Sequence, residues 1–446
     1  MTLGGRVRFV AAGRALRHRN FRLFFFGQLI SVTGTWMQSI AQAWLLVSLV
    51  GPQQAIVYLG LLGAVQWVPV MVLGLFGGII VDVWPKRRTV IATQLAAGLL
   101  ALILGALVYS HAVQVWHVFV LGFLLGLVNI IDMPARQSFV VEMVGPDDVT
   151  NGIALNSAVF NSARIVGPAI GGSLIALVGT ALCFILNGLS YGAVVIGLLA
   201  MRESELMPAA RLAIPRSIGA VRSGLGEGLR YVWQTPPVLL AVAVIGSVST
   251  FGMNFNVVLP VMAAGALNAG PTGLGLLFAS MGAGALTAAL TVAMLSRPRL
   301  RILVGGGMVL GVSELVLSAT NSLPIAAVAV YFCGLGAIAT AISANSIVQI
   351  TVPGPLRGRV MSVYTTVFSG STPIGNGLTG GLGGLMGTPA ALVMNGAVTI
   401  AAEAVAAIAI LRGAVPPLGN RAGGDRGRSA ESARPAAGPA GAASVD

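Results

Sequence analysis

Residues 56–88 read IVYLGLLGAVQWVPVMVLGLFGGIIVDVWPKRR. An uncharged, apolar run extends from Ile56 to Val81; Asp82 ends it, and Lys86, Arg87 and Arg88 follow. A helix needs about 20 largely apolar residues to cross a bilayer, so this run is long enough to span, and the charges mark where it leaves the hydrocarbon. The rest of the chain has the same character. Of 446 residues, 56% are hydrophobic and 9% are charged, with 60 glycines; soluble domains carry about 25% charged residues. That composition excludes a soluble enzyme, a coiled coil and a disordered protein. Cys183 and Cys333 both fall inside apolar runs and read as small packing residues.

Reading outward from residues 56–82, spans are expected at 21–48, 56–82, 89–110, 115–134, 149–177, 180–200, 237–263, 272–296, 301–320, 323–348, 360–385 and 388–411. The count is even, which puts both ends on one side. Placing the N-terminus in the cytoplasm leaves 25 of the 26 Lys and Arg residues in cytoplasmic segments, as the positive-inside rule requires. The remaining one, Arg164, is inside the fifth span. The basic charge of +13 is thereby assigned to topology rather than to nucleic acid. The Arg-rich start precedes a run too long for a signal peptide and reads as a retained first helix.

The chain repeats itself. Gly179-Thr180 with Asn187-Gly188 recurs as Gly387-Thr388 with Asn395-Gly396, and Gly145-Pro146 with Gly171-Gly172 recurs as Gly354-Pro355 with Gly380-Gly381. Six spans per repeat make the two halves parallel. The expected organisation is a cytoplasmic segment 1–20, a six-helix bundle 21–201, a linker 202–236, a second bundle 237–412 and a disordered tail 413–446. Within the linker, Ile214, Ile218, Val221, Leu225, Leu229 and Val232 share one helical face opposite Arg216, Ser223, Glu227 and Arg230, the pattern of a helix lying on a membrane surface. A partly ordered linker is the alternative for its first residues.

Several chemistries are excluded. Lys86, between Pro85 and Arg87, is the only lysine, so no Gly-Lys-Ser/Thr phosphate cradle exists, no ATPase is encoded here, and any transport is secondary or depends on another chain. His18, His111 and His117 lack metal-ligand spacing. No cofactor is expected, and no enzyme activity.

The loop Gly77-Gly78-Ile79-Ile80-Val81-Asp82-Val83-Trp84-Pro85-Lys86-Arg87-Arg88 resembles the G-x-x-x-D-R-x-G-R-R motif of the major facilitator superfamily. Gly78, Asp82, Arg87 and Arg88 fit, while Val83 and Lys86 replace the usual Arg and Gly. The resemblance implies a cytoplasmic latch between the halves; topogenic charge alone would account for Lys86 and Arg88 but not Asp82. In the fifth span, Asn161, Arg164, Pro168 and Gly171 lie on one stripe. Arg164-Ile165-Val166-Gly167-Pro168-Ala169-Ile170-Gly171-Gly172 resembles the superfamily's G-P-x-x-G-G motif, which implies a seal toward the outside against the eighth span. Arg164 is expected to face the protein interior, because a lipid-facing guanidinium is costly. With Asp132-Met133-Pro134-Ala135-Arg136-Gln137, Glu142, Ala154-Leu155-Asn156 and Leu16-Arg17-His18-Arg19-Asn20-Phe21-Arg22, the chain from about 14 to 412 resembles the subgroup containing enterobactin exporters and macrolide efflux pumps.

The fold expected is therefore an all-α integral membrane protein of twelve transmembrane helices in two parallel six-helix repeats, the major facilitator fold. By resemblance it exports an amphipathic organic compound, a siderophore or drug, by alternating access in exchange for protons across the cell (inner) membrane, as a monomer. An importer or facilitator of a small metabolite is the alternative. Asp132, Glu314 and Glu403 are the proton-coupling candidates, with a structural pair to Arg136 as the other reading of Asp132. Arg164 would bias a neighbouring carboxylate or bind an anionic group on substrate. Gln38, Asn254 and Asn256 would face the cavity, or else hydrogen-bond between helices.

Overall fold

The computed structural model of the chain describes residues 13–207, 218–295 and 299–416, without the side chains of 75–80, 82–83 and 218–225. Among the described residues every regular element is helical. The first half contains α1 (Arg19–Val50), α2 (Pro52–Val83) and α3 (Lys86–Tyr109). A long helical stretch, Val115–Val178, follows; at Gly145 the backbone turns to φ 70°, ψ 175° and divides it into α4 (115–144) and α5 (146–178). The sixth helix is α6 (Thr180–Leu199). After the linker helix α7 (Ile218–Gln234) come α8 (Pro236–Ala264), α9 (Gly270–Ala293), α10 (Leu300–Ala319), α11 (Leu323–Thr351), α12 (Gly354–Met386) and α13 (Thr388–Leu411). Spans one to six are α1–α6, and spans seven to twelve are α8–α13.

The spans fall where the apolar runs placed them, with two extensions. Helix α4 continues past Pro134 to residue 144, because Phe139, Val140 and Met143 on its polar-looking end are buried. Helix α12 starts at Gly354, not residue 360. Both ends lie at the basic face of the molecule, where packing against neighbouring helices, not lipid, keeps the segment helical. Of the linker, α7 forms and docks on α12: Gly228 meets the backbone of Arg359, Val232 is buried, and Glu227 pairs with Arg359. Leu229 and Trp233 remain exposed. Residues 208–217, which carry Ile214 and Arg216, and the tail from 417 onward lie outside the described residues.

The repeat is visible in the backbone. Gly179, between α5 and α6, has φ 81° and ψ 176°; Gly387, between α12 and α13, has φ 88° and ψ 159°. A side chain is disfavoured at such φ values, so the same glycine makes the same hairpin in both halves.

The core is divided unequally between the two faces. Toward the face opposite the basic one, a single apolar cluster runs through both halves, joining Met37, Ile40, Ile56 and Leu59 to Val258, Leu274, Leu277 and Val330. At the basic face each half has its own cluster: Phe21, Phe139 and Leu198 in the first, Val238, Ile347 and Val360 in the second. The halves are thus fused at one face and separate at the other.

Candidate transport pathway and its closures

Two crossings of bare helix backbone hold the fused face together. On α5, a Cβ placed at Gly172 would lie 2.6 Å from the Pro271 carbonyl oxygen and 2.8 Å from the Gly275 Cα of α9. In the related position, a Cβ at Gly60 of α2 would lie 2.8 Å from the Gly380 Cα of α12. Only glycine allows helices to approach so closely. Gly167 and Gly171 turn instead to α1, against the Thr33 carbonyl and Met37, and Pro168 presents its carbonyl to Gly275. The fifth span thus touches the eighth through Gly172 and the Pro168 carbonyl, whereas Gly171 of the expected stripe faces α1.

Below these crossings lies a cavity between the halves, lined by Trp36 (α1), Arg164 (α5), Met253, Phe255 and Asn256 (α8), Met281 and Ala285 (α9), and Gly334, Ala337 and Ile338 (α11). Arg164 faces the interior, as its cost in lipid demanded. Its guanidinium lies 5.4 Å over the Trp36 ring, and its buried Nε has no hydrogen-bond partner. Among the described residues no Asp or Glu lines the cavity. A cation–π contact is worth about 0.5–2 kcal/mol, against a penalty of several kcal/mol for removing an ion from water; Trp36 offsets only part of that cost.

The three polar cavity candidates separate. Asn256 lines the cavity. Gln38 instead accepts a hydrogen bond from Asn187 Nδ2 of α6 at 2.7 Å, inside the first half. Asn254 is buried, and its Nδ2 donates to the Thr250 carbonyl at 2.7 Å. The physical cause for Asn254 is a π-helical turn, Val248–Gly252, which breaks the helical phase just before it; π turns redirect the side chains that follow. For Gln38, a polar face alone does not say whether it meets a cavity or another helix.

A second cavity, on the basic side, is lined by Gln28, Val32, Met133, Arg136, Gln137, Asn156, Val159 and Phe160. Asp132 is buried beside it. One carboxylate oxygen accepts from Thr93 Oγ1 at 2.7 Å and Gln94 Nε2 at 2.9 Å; the other pairs with Arg136 Nε at 2.7 Å. Arg136 also donates to Gln28 Oε1 at 2.9 Å. The structural pairing of Asp132 and Arg136 is therefore formed, and it ties α1, α3 and α4 together.

Glu314 on α10 and Glu403 on α13 are 1% and 0% exposed. Glu403 has no partner on either oxygen and packs on the bare backbone at Gly307; Glu314 has none on Oε2. Neither lines the Arg164 cavity.

In the loop motif, the surroundings of Gly78 and the side chain of Asp82 lie outside what is described. Lys86 pairs with Glu142 at 2.6 Å. Arg87 donates to the Leu198 carbonyl at 2.7 Å and to that of Leu199 at 3.2 Å, capping the end of α6, and pairs with Glu203. Arg88 is exposed. All described partners belong to the first half or its edge: here these cations brace helices of one bundle.

Sequence reasoning missed Asp148. At the start of α5 its nearly buried carboxylate meets His18 Nε2 at 2.8 Å, Arg17 at 2.9 Å and Arg14 at 3.7 Å. The hydrogen bond from His18, with the charges of Arg17 and Arg14, holds its carboxyl below the ordinary carboxylate value despite burial. Only the density of cations before the first span hinted at a waiting acid. A lowered native value stabilises the fold above the unfolded value of about 4 and loses that contribution as pH falls through the native one. Asp148→Asn should therefore lower the melting temperature at neutral pH, and the gap to the native protein should close below about pH 4. Melts in detergent across pH check this; a gap that persists in acid would exclude the ion cluster as its cause.

Twelve helices in two parallel sixes, fused at one face around a cavity that both halves line, define a major facilitator transporter and not an enzyme. The family model described as transmembrane secretion effector matches residues 11–422, and the chain belongs to that family. It is 30% identical over 374 residues to the multidrug efflux pump Tap of Mycolicibacterium fortuitum, covering 81% of this chain and 88% of that one. Over 381 residues it is 24% identical to the enterobactin exporter EntS of Citrobacter koseri, covering 84% and 87%. Among solved structures, the inward-facing, occupied bacterial homolog of the human lysosomal transporter Spinster matches with a TM-score of 0.68 at 12% identity, over 88% of this chain and 97% of that one.

Proposed function

We propose that this protein exports an amphipathic organic compound, a drug or siderophore, by alternating access coupled to inward proton movement. The observation that carries the reading is the division of the core: one apolar cluster fuses the halves at one face, and two separate clusters serve the other. A molecule with that division can rock about its central cavity, exchanging which face is sealed. The basic face is the cytoplasmic one by the positive-inside rule, so the state described is open inward, with both termini in the cytoplasm of a cell whose inner membrane holds the protein. The bundles 21–201 and 237–412 are the rocking bodies, joined by 202–236, and a monomer suffices. Names of relatives, a multidrug efflux pump and an enterobactin exporter, support export rather than import.

Proton exchange is assigned to the acids without partners. Asp132 is held by Arg136, Thr93 and Gln94, whereas Glu403 has no partner on either oxygen, and an isolated buried carboxylate is far costlier than its protonated form. Asp82 and its cations would form the inner latch when that face closes.

Inside-out vesicles with a proton gradient read by a quenched dye test both claims. Siderophores, macrolides and lipophilic cations are added singly. One class should collapse the gradient, and Glu403→Gln should remove that collapse while leaving substrate binding in place. Silence across the panel, beside a responding known antiporter, would reject proton antiport and favour a facilitator of one small metabolite.

A further inference from the structure

We infer that the central cavity is built for a substrate bearing an acidic group, which Arg164 receives; this deepens the export reading and rests on it. Arg164 lies within α5, its Nε is buried without a partner, and among the described residues no Asp or Glu lines the space it faces. A guanidinium left in that condition is an incomplete ion pair. Its planar fork of N–H donors matches a carboxylate in two parallel hydrogen bonds. Trp36, whose ring centroid is 5.4 Å from the guanidinium carbon, holds the group beside the first half.

The rest of the cavity fits the same ligand. Asn256, on the second half, offers both an amide donor and an acceptor across from Arg164. Met253, Phe255 and Met281 supply a soft apolar wall, suited to an organic body of variable shape. A ligand held by Arg164 on one side and Asn256 on the other bridges the two halves. Its binding then bears on the motion that alternates access. A lipophilic cation finds the opposite: a like charge at the site and no acid to receive it. The substrate class is an amphipathic organic acid.

The test uses the full chain in nanodiscs and one fluorophore with three head groups: a dansyl-labelled undecanoic acid, its methyl ester, and the trimethylammonium of the same chain. Binding is read by energy transfer from protein to dansyl, with lipid-only discs subtracted. The acid should bind at least about tenfold more tightly than either analogue, the worth of a charge-assisted hydrogen-bonded pair. In Arg164→Gln the acid should fall to the level of the ester, while Arg164→Lys keeps part of the preference. Equal or tighter binding of the ester or the ammonium to the native protein overturns the inference. So does an acid preference that survives in Arg164→Gln. Should Arg164→Gln not fold, the native protein's ranking of the three probes decides alone. No gradient is present, so loss of proton-driven export in vesicles and loss of acid selectivity here are separate results.

Discussion

Gly172→Val is expected to remove most transport while leaving the protein folded and able to bind substrate. Its first side-chain carbon would sit 2.6 Å from the Pro271 carbonyl oxygen and 2.8 Å from the Gly275 Cα. Both atoms are backbone, so no rotamer change relieves the clash, and α5 and α9 must separate. Overpacking costs about 1–3 kcal/mol, and each 1.4 kcal/mol is tenfold in population. The state sealed at the fused face should then lose roughly 5- to 150-fold in population against the state open there. Gly60→Val, at the related crossing with Gly380, should do the same. Gly192, with open space around it, is the control: Gly192→Val should transport normally. Spin labels at Gln53 and Asn268, both exposed at that face, should move apart in the two crossing variants. Native label separation together with native transport in Gly172→Val would remove this crossing from the cycle.

The second large effect is on stability. Asp132→Asn removes the charge beside Arg136 and leaves one acceptor oxygen where two now serve Thr93, Gln94 and Arg136. Breaking one side of a buried ion pair costs about 3–5 kcal/mol, because the partner charge is left uncompensated. Removing both charges is cheaper, so Asp132→Asn with Arg136→Gln should recover a large part of the loss. Unfolding in detergent, followed for native, single and double variants, gives the coupling directly. A double variant no more stable than Asp132→Asn would show that the pair is not what holds α3 and α4. Recovered stability without recovered transport would assign the pair a second task in the cycle.

How legible was all this beforehand? The spans were readable because lipid demands long apolar runs and paired backbone groups, which leave an unmistakable mark in composition. The parallel repeat was readable through Gly179 and Gly387, since a hairpin with positive φ admits little but glycine. That Arg164 faces inward followed from cost alone. Asn256 and Gln38, by contrast, look alike in the sequence, each an amide side chain in a largely apolar helix. A neighbour, Asn187, takes Gln38, and a π-helical turn aims Asn256 at the cavity while its close neighbour Asn254 turns away. Asp148 went unseen because its partners, Arg14, Arg17 and His18, are remote in the chain.

Sequence by itself determined the solvent each segment accepts, the number and parallel repeat of the spans, and the residues too costly to leave in lipid. Those are properties of a residue and its near neighbours, set by transfer from water to hydrocarbon. Tertiary structure decided which acids have partners, which asparagine meets the cavity, and which face is fused. Those depend on the rotation of each helix about its axis and on contacts between helices far apart in the chain, such as Gly172 with Gly275, where the absence of a side chain matters only because another backbone passes there.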